Sequence, residues 1–213
     1  CRACVQECPV MIEHVDEIVD LRRHLALTEG EFPEQLQVLF RNLENNFAPW
    51  QFSPEDRAAW AEGMDIPQLS ELGSAEEIDY LFWVGCAGSF DARYKKVSVA
   101  LAKIMQEVGL RFAILGKEEK CNGDSARRTG NEYLAQMLMA DNIETLNSYK
   151  VKNIVTGRPI AAAVVARMNG GYAQSRLPFV TIMDMLFSSV DINVTSCCSG
   201  FQPCILEYQN CLY

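Results

Sequence analysis

The feature that most constrains this chain is its first nine residues, which read Cys1-Arg-Ala-Cys4-Val-Gln-Glu-Cys8-Pro9. Gaps of two and three residues separate the cysteines, and a proline follows the last one. Such short gaps wrap the backbone around one side of a metal centre and point successive thiolates inward. Proline fixes φ and lacks an N–H group, so the chain turns away after the third thiol. The N-terminus is therefore predicted to bind a metal centre.

This spacing resembles the last three cysteines of the bacterial ferredoxin run C-x₂-C-x₂-C-x₃-C-P, which binds [4Fe–4S] clusters. In that run the cysteine before proline ligates a second cluster, so the resemblance implies that Cys1 and Cys4 serve one cluster and Cys8 another. The missing first cysteine leads us to expect that the natural chain continues upstream. The alternatives are a zinc site, although zinc sites usually combine two close pairs of cysteines or histidines, and cysteines that are simply core residues.

The composition limits the classes of partner. The net charge is −9, whereas a nucleic-acid binder needs a basic surface, so no nucleic-acid partner is expected. Nine cysteines, several of them close together, fit metal ligation in a reducing compartment better than a secreted disulfide framework. We therefore expect a cytoplasmic protein, with the inner face of a membrane as an alternative location. The sequence has no apolar run of the roughly 18 residues that a membrane span requires.

The second half of the chain alternates between strand and helix. Continuous β-prone runs at 78–84, 111–115 and 152–156 are separated by amphipathic helical patterns at 91–110 and 131–149. This order predicts an α/β fold with a small parallel sheet.

A different pattern precedes the sheet, because residues 11–27 and 32–47 show helical periodicity. We expect four regions. They are a helical ferredoxin-type segment at 1–47, a connector at 48–77, a cysteine-rich α/β domain at 78–156 and a tail of unknown role at 157–213.

Two further cysteines occupy related positions in the predicted sheet. Cys86 follows the first strand, and Cys121 lies in the loop after the second strand. Because the carboxyl ends of parallel strands share one edge of a sheet, both thiols are expected at that edge. The alternative is a pair of unrelated, partly buried cysteines.

Three stretches resemble the iron–sulfur subunits of the heterodisulfide reductase, glycolate oxidase and lactate utilisation group. They are the N-terminal cysteine run, the stretch Phe-Trp-Val-Gly-Cys-Ala-Gly at 82–88, and Glu-Glu-Lys-Cys-Asn-Gly-Asp at 118–124. Members of this group combine a two-cluster ferredoxin domain with cysteine-rich domains named for a Cys-Cys-Gly signature. The resemblance covers residues 1–156 and implies a [4Fe–4S] cofactor. The metal ligands that it implies are Cys1, Cys4, Cys8, Cys86 and Cys121.

The cysteine-rich part departs from the family pattern at two places. Asn122 stands where the signature has a second adjacent cysteine, and residues 155–160 lack the C-x-x-C pair that the family places after the third strand. Cys86 and Cys121 alone cannot supply four ligands. Near the end, Cys197 and Cys198 invite comparison with the Cys-Cys-Gly signature, but a tail unrelated to the family is the favoured interpretation of 157–213.

The resemblance implies an electron-transfer subunit of an oxidoreductase. Such a subunit passes electrons between a flavoprotein or ferredoxin and a quinone or disulfide acceptor, and a redox partner subunit is expected. No catalytic residue is assigned from the sequence. The alternatives are a docking scaffold without a cluster and a zinc-binding structural module.

Overall fold

A parallel sheet of four strands lies at the centre of the structure, a computed structural model that describes residues 3–157 and 179–181. Its strands are β1 (Tyr80–Trp83), β2 (Phe112–Ala113), β3 (Ile154–Thr156) and β4 (Phe179–Thr181), arranged in the order β2-β1-β3-β4. All three pairings are parallel. The predicted α/β fold and the three predicted strands are confirmed, and β4 is an addition to them.

Alternating side chains bury both faces of this sheet. Along β1, Leu81 and Trp83 face one hydrophobic cluster, whereas Phe82 faces a second cluster on the other side. Strand β3 divides in the same way, with Ile154 in the first cluster and Val155 in the second. Successive side chains of a strand point to opposite faces, and both faces of this sheet are buried. The strands are therefore continuous apolar runs in the sequence.

Two long helices cover opposite faces of the sheet. Helix α8 (Glu132–Ser148) packs into the first cluster, and α6 (Ala92–Glu107) packs into the second. Side chains cap both helices, because Asp91 Oδ1 accepts the amide of Tyr94 at 2.9 Å and Asn131 Oδ1 accepts that of Leu134 at 3.1 Å. The predicted helices at 91–110 and 131–149 are thus confirmed with slightly shorter bounds.

The remaining helices are short or belong to the first half of the chain. They are α1 (Ala3–Gln6), α2 (Val15–His24) with a π-helical turn (Leu25–Glu29), α3 (Glu34–Asn46), a 3₁₀ helix (Pro54–Ala61), α4 (Leu69–Leu72), a 3₁₀ turn (Ala75–Glu77), α5 (Gly85–Phe90), a 3₁₀ turn (Gly116–Glu118) and α7 (Asp124–Arg128). Helix α2 begins later than the predicted residue 11, because Met11 has a left-handed φ of 52° that no helix continues.

The stretch 48–77, predicted as a connector, contributes to both hydrophobic clusters. Leu69 and Ala75 lie in the first, and Trp60 lies in the second. Gln68 also forms a parallel bridge with Ile114, next to β2. The division of the chain into four regions stays a prediction, but 48–77 is packed against the sheet along much of its length.

Some predicted features lie outside the described residues. They are Cys1, the cysteines at 197, 198, 204 and 211, and most of the tail at 157–213. Within the described part of the chain, no helix is long and apolar enough to cross a membrane.

Candidate functional site: a buried thiol pair beside an ion pair

The structure brings Cys86 and Cys121 together at one edge of the sheet. Cys86 lies in the first turn of α5, directly after β1, and Cys121 lies in the loop that follows β2. Both lie beside the carbonyl oxygen of Phe47, which is 4.0 Å from Cys86 Sγ and accepts the backbone amide of Cys121 at 2.8 Å. Cys86 is partly exposed, whereas Cys121 is buried with 5% of its surface accessible. The expected meeting of the two thiols is therefore found.

An ion pair that was not predicted from the sequence lies against Cys86. Arg57 Nη1 donates to Glu119 Oε1 at 3.1 Å, and the two side chains are only 1% and 3% exposed. Arg57 Nη2 lies 3.3 Å from Cys86 Sγ. The buried guanidinium therefore places a positive charge between a buried carboxylate and the partly exposed thiol of Cys86.

Backbone amides hold Glu119 in place. The amide of Val84 donates to Glu119 Oε2 at 3.0 Å, and the amide of Gly85 donates to Glu119 Oε1 at 2.8 Å. Val84 and Gly85 connect the end of β1 to α5, so their amides lie at the same end of the strand as Cys86. Gly85 has a φ of +75°, a left-handed conformation that glycine adopts without strain.

The carbonyl oxygen of Phe47 links this site to α3. It accepts Arg57 Nη2 at 2.7 Å and the backbone amide of Cys121 at 2.8 Å. Phe47 ends α3 in a left-handed conformation with a φ of 54°. The C-terminus of α3 thus fixes both the guanidinium and the loop that carries the buried thiol.

Asn142 of α8 fixes the other side of that loop. It is fully buried. Its Oδ1 accepts the amide of Lys120 at 3.0 Å, and its Nδ2 donates to the carbonyl oxygens of Cys121 at 3.1 Å and Leu138 at 2.9 Å. A buried amide side chain satisfied on both ends holds a loop in one conformation. Helix α8 therefore fixes the backbone of the loop that carries Cys121.

The site shifts the pKa values of its members. The hydrogen bond from Cys121 lowers the pKa of Cys86 to about 6, with Arg57 acting in the same direction against burial. The same hydrogen bond and burial raise the pKa of Cys121 well above that of a free thiol. Burial raises the pKa of Glu119 to about 7, although Arg57 opposes this shift.

Sequence reasoning missed Arg57 and Glu119 for different reasons. Arg57 belongs to the stretch predicted as a connector, and only tertiary packing reveals that its side chain reaches Cys86. Glu119 lies two residues before Cys121, within a stretch that carries the family resemblance. A charged residue beside an otherwise buried cysteine loop is the signal that would have found it.

The residues around Cys86 and Cys121 do not fit a [4Fe–4S] cluster as they stand. Such a cluster takes about four thiolates, and the residues at this site supply two. The described residues contain no group of three or more Cys, His, Asp or Glu side chains that could hold a metal ion. Asn122 accepts the amide of Asp124 through Oδ1 at 3.2 Å, as part of a turn.

The N-terminal cysteines lie in a separate environment. Cys4 is exposed within α1, and Cys8 is partly exposed directly after it. Backbone N–H groups of Ile12 and Val10, and more weakly of Met11, hydrogen bond to the Cys8 sulfur and lower its pKa. Amide donors around a sulfur favour the thiolate that a metal centre requires.

Comparisons with known proteins identify a matching domain family and several relatives. The Cysteine-rich domain (CCG) family matches residues 80–160. The chain is similar to the EtfAB:quinone oxidoreductase of Syntrophomonas wolfei subsp. wolfei, with 44% identity over 161 residues that cover 75% of this chain and 22% of that protein. It is similar to a probable membrane-anchored ferredoxin of Chromohalobacter salexigens, with 45% identity over 159 residues that cover 75% of this chain and 23% of that protein.

A more distant similarity extends to one subunit of the Dihydromethanophenazine:CoB--CoM heterodisulfide reductase of Methanosarcina barkeri. The identity is 27% over 161 residues, which cover 73% of this chain and 36% of that protein. No solved structure matches the chain significantly. The chain spans about a fifth of the length of the curated relatives with 44–45% identity.

Proposed function

We propose that the chain is an electron-transfer part of an oxidoreductase, because it belongs to the group of iron–sulfur subunits with Cys-Cys-Gly-type cysteine-rich domains. It passes electrons between a flavoprotein or ferredoxin and a quinone or disulfide acceptor. The names of the relatives support this class of reaction, since they include a quinone oxidoreductase, a ferredoxin and a heterodisulfide reductase. A redox partner subunit supplies or removes the electrons.

The observation that carries the proposal is the environment of Cys8. The side chain is partly exposed directly after α1, and backbone hydrogen bonding from Ile12 and Val10, and more weakly from Met11, lowers the pKa of its thiol. Amides directed at a ligating sulfur stabilise the reduced, more negative form of an iron–sulfur centre and so tune its potential. Cys1 and Cys4 provide the thiolates of one cluster and Cys8 one thiolate of a second. When bound, such a cluster accepts and donates single electrons.

Apolar residues that follow Cys8 are exposed, which supports the proposal that another group covers this part of the surface. Val10, Met11 and Ile12 are 69%, 67% and 57% exposed, although all three are apolar. Contiguous exposed apolar residues mark a surface that another group covers. A cluster and the further protein that completes its ligand set would cover this surface.

The contribution of the α/β domain is structural in this proposal. Its two thiols are fewer than a cluster needs, so a ligand role for Cys86 and Cys121 requires thiolates from outside the described residues. The domain docks the partner subunit and holds the N-terminal segment. The similarity to a membrane-anchored ferredoxin favours a location in the cytoplasm at the inner face of a membrane.

Anaerobic reconstitution with iron and sulfide tests the proposal. With an added small thiol to fill the open iron positions, the reduced 213-residue chain is expected to bind iron and to gain a visible absorption band that bleaches on chemical reduction. Cys4→Ser and Cys8→Ser should each lower the bound iron and the band, whereas Cys211→Ser, outside the proposed ligand set, should leave both unchanged. A colourless chain that binds zinc instead would support the zinc module. A folded chain that binds neither metal would support the docking scaffold.

A further inference from the structure

We propose that the exposed side of α6 docks an acidic amphipathic helix of the partner subunit. This α6 surface consists of six exposed residues, Arg93, Lys96, Val97, Ala100, Lys103 and Ile104. The inference rests on the part of the proposed function in which the α/β domain docks a partner, and it does not involve the clusters of the N-terminal segment.

An apolar stripe runs along the α6 surface. Val97 and Ile104 are 48% and 43% exposed. Ala100 lies between them, at the three- and four-residue spacings that place side chains on one face of a helix. Leu101 and Met105 of the same helix pack into the second hydrophobic cluster, so the domain core uses a different face of α6. The small side chain of Ala100 lets a second helix approach closely at the middle of the stripe.

Three cations, Arg93, Lys96 and Lys103, border this stripe. None of the three forms an ion pair within the described part of the chain, although the exposed Lys117 and Lys150 do. The chain as a whole has a net charge of −9. A row of cations without acidic neighbours therefore contrasts with the composition of the rest of the chain and fits a negatively charged partner.

The helix itself does not gain stability from these charges. Arg93 lies in the first turn of α6, where the helix dipole disfavours a cation. Arg93 and Lys96 are also like charges three positions apart, an arrangement that weakens a helix. The last turn carries Glu107 and no cation, so the dipole does not explain the charges there either. A partner outside α6 explains the cations better than the stability of α6 does.

An acidic helix fits the α6 surface better than a second copy of this chain. Antiparallel pairing of two copies about Ala100 brings Lys96 of one copy next to Lys103 of the other. Parallel pairing brings each lysine next to its own equivalent, so both arrangements place like charges together. A helix whose apolar stripe is flanked by Glu or Asp satisfies the stripe and the cations at once, as charges beside the apolar seam do in paired helices.

Binding of two synthetic peptides to the 213-residue chain tests the proposal. Both peptides are helical and share an apolar stripe of leucine and alanine, but the flanking positions are Glu in the acidic peptide and Lys in the basic peptide. Fluorescence anisotropy should show that the acidic peptide binds, that added salt weakens its binding, and that the basic peptide does not bind. A zero-length carbodiimide crosslinker should join the acidic peptide to Lys96 and Lys103.

Charge reversal identifies the surface that binds. Lys96→Glu combined with Lys103→Glu should weaken binding of the acidic peptide by about tenfold or more, because two attractive charges become repulsive. The matched control combines Lys117→Glu with Lys152→Glu, at exposed positions outside α6, and should leave binding nearly unchanged. Ile104→Asp should also weaken binding, through the apolar stripe. Circular dichroism establishes that each variant is folded before binding is measured.

The proposal would be overturned if neither peptide bound, if both bound equally, or if the two double variants had equal effects. Binding to anionic phosphatidylglycerol vesicles through Lys96 and Lys103, without binding of the acidic peptide, would also overturn it, because the surface would then face a membrane. Iron binding separates these results from a failure of the cluster proposal. The Lys96→Glu/Lys103→Glu variant should retain the iron that depends on Cys4 and Cys8, and a chain that binds the acidic peptide but no iron would contradict only the clusters.

Discussion

Arg57 and Glu119 form an ion pair of 3.1 Å that is almost completely shielded from solvent. Two backbone amides also donate to the carboxylate, and the Phe47 carbonyl and Cys86 sulfur accept from the guanidinium. Because these partners come from separate parts of the fold, the pair joins α3, the stretch 48–77 and the edge of the sheet. Substitution of either residue therefore measures how much the ion pair contributes to the stability of the fold.

Removal of the cation should destabilise the protein strongly. Arg57→Met leaves the Glu119 carboxylate buried without its counter-charge, and breaking a buried pair in this way costs about 3–5 kcal/mol. Urea unfolding at mildly alkaline pH, where Glu119 is ionised, measures the loss. The matched control is Arg111→Met, which breaks the exposed pair with Asp79 and should leave the unfolding free energy nearly unchanged. Equal effects of the two variants would contradict the structural role assigned to Arg57.

The pH dependence of stability should carry a signature of Glu119. Its folded pKa of about 7 lies above the ordinary value of 4.5, so the folded state binds more protons than the unfolded state between these values. The stabilisation is fully present below pH 4.5 and is lost as the pH rises through 7. Relative to Glu119→Gln, the wild type should therefore lose about 3 kcal/mol across this window. Unfolding midpoints at several pH values check this, and parallel curves would contradict it.

The fixed loop around Cys121 should depend on Asn142. Asn142→Leu removes the acceptor of the Lys120 amide and the donor to the Cys121 carbonyl, and each buried group left unpaired costs about 1–3 kcal/mol. Asn45→Leu is the control, since that side chain makes an exposed hydrogen bond to the carbonyl of Arg41 within its own helix. Chemical denaturation compares the two. If Asn142→Leu unfolded at the same denaturant concentration as Asn45→Leu, the loop would not depend on this side chain.

Contact between α2 and the α7–α8 turn should depend on Gly130. It has a φ of +98°, and a Cβ atom there would collide with the backbone of Arg22 and Arg23. Gly130→Ala should therefore separate α2 from the domain and increase amide hydrogen exchange at residues 15–29. Gly63→Ala is the control, because Gly63 also has a positive φ but no atom within 4 Å of the added Cβ. It should cost about 1 kcal/mol of backbone strain without affecting 15–29.

Local patterns were sufficient to predict three of the four strands and the two long helices. The alternation of β1 between two hydrophobic clusters produces the apolar run that marks it as a buried parallel strand, and parallel topology then brings Cys86 and Cys121 to one edge. The short helix α5 was missed because its sequence, Gly-Cys-Ala-Gly-Ser-Phe, has little helical periodicity.

The charged half of the site could not be predicted in this way. Arg57 reaches Cys86 across 29 positions and Glu119 across 62, and no periodicity or spacing rule connects residues so far apart. The cost of burying a charge offers a partial rule, because a buried arginine requires a buried acceptor. That rule identifies a partner only after the fold has shown which arginine is buried.

The carbonyl oxygen of Phe47 connects the end of α3 to the region around both thiols. It ends α3 and accepts both the guanidinium beside Cys86 and the backbone amide of Cys121. Because a single acceptor serves both groups, the position of the arginine and that of the Cys121 loop are linked to the end of the same helix.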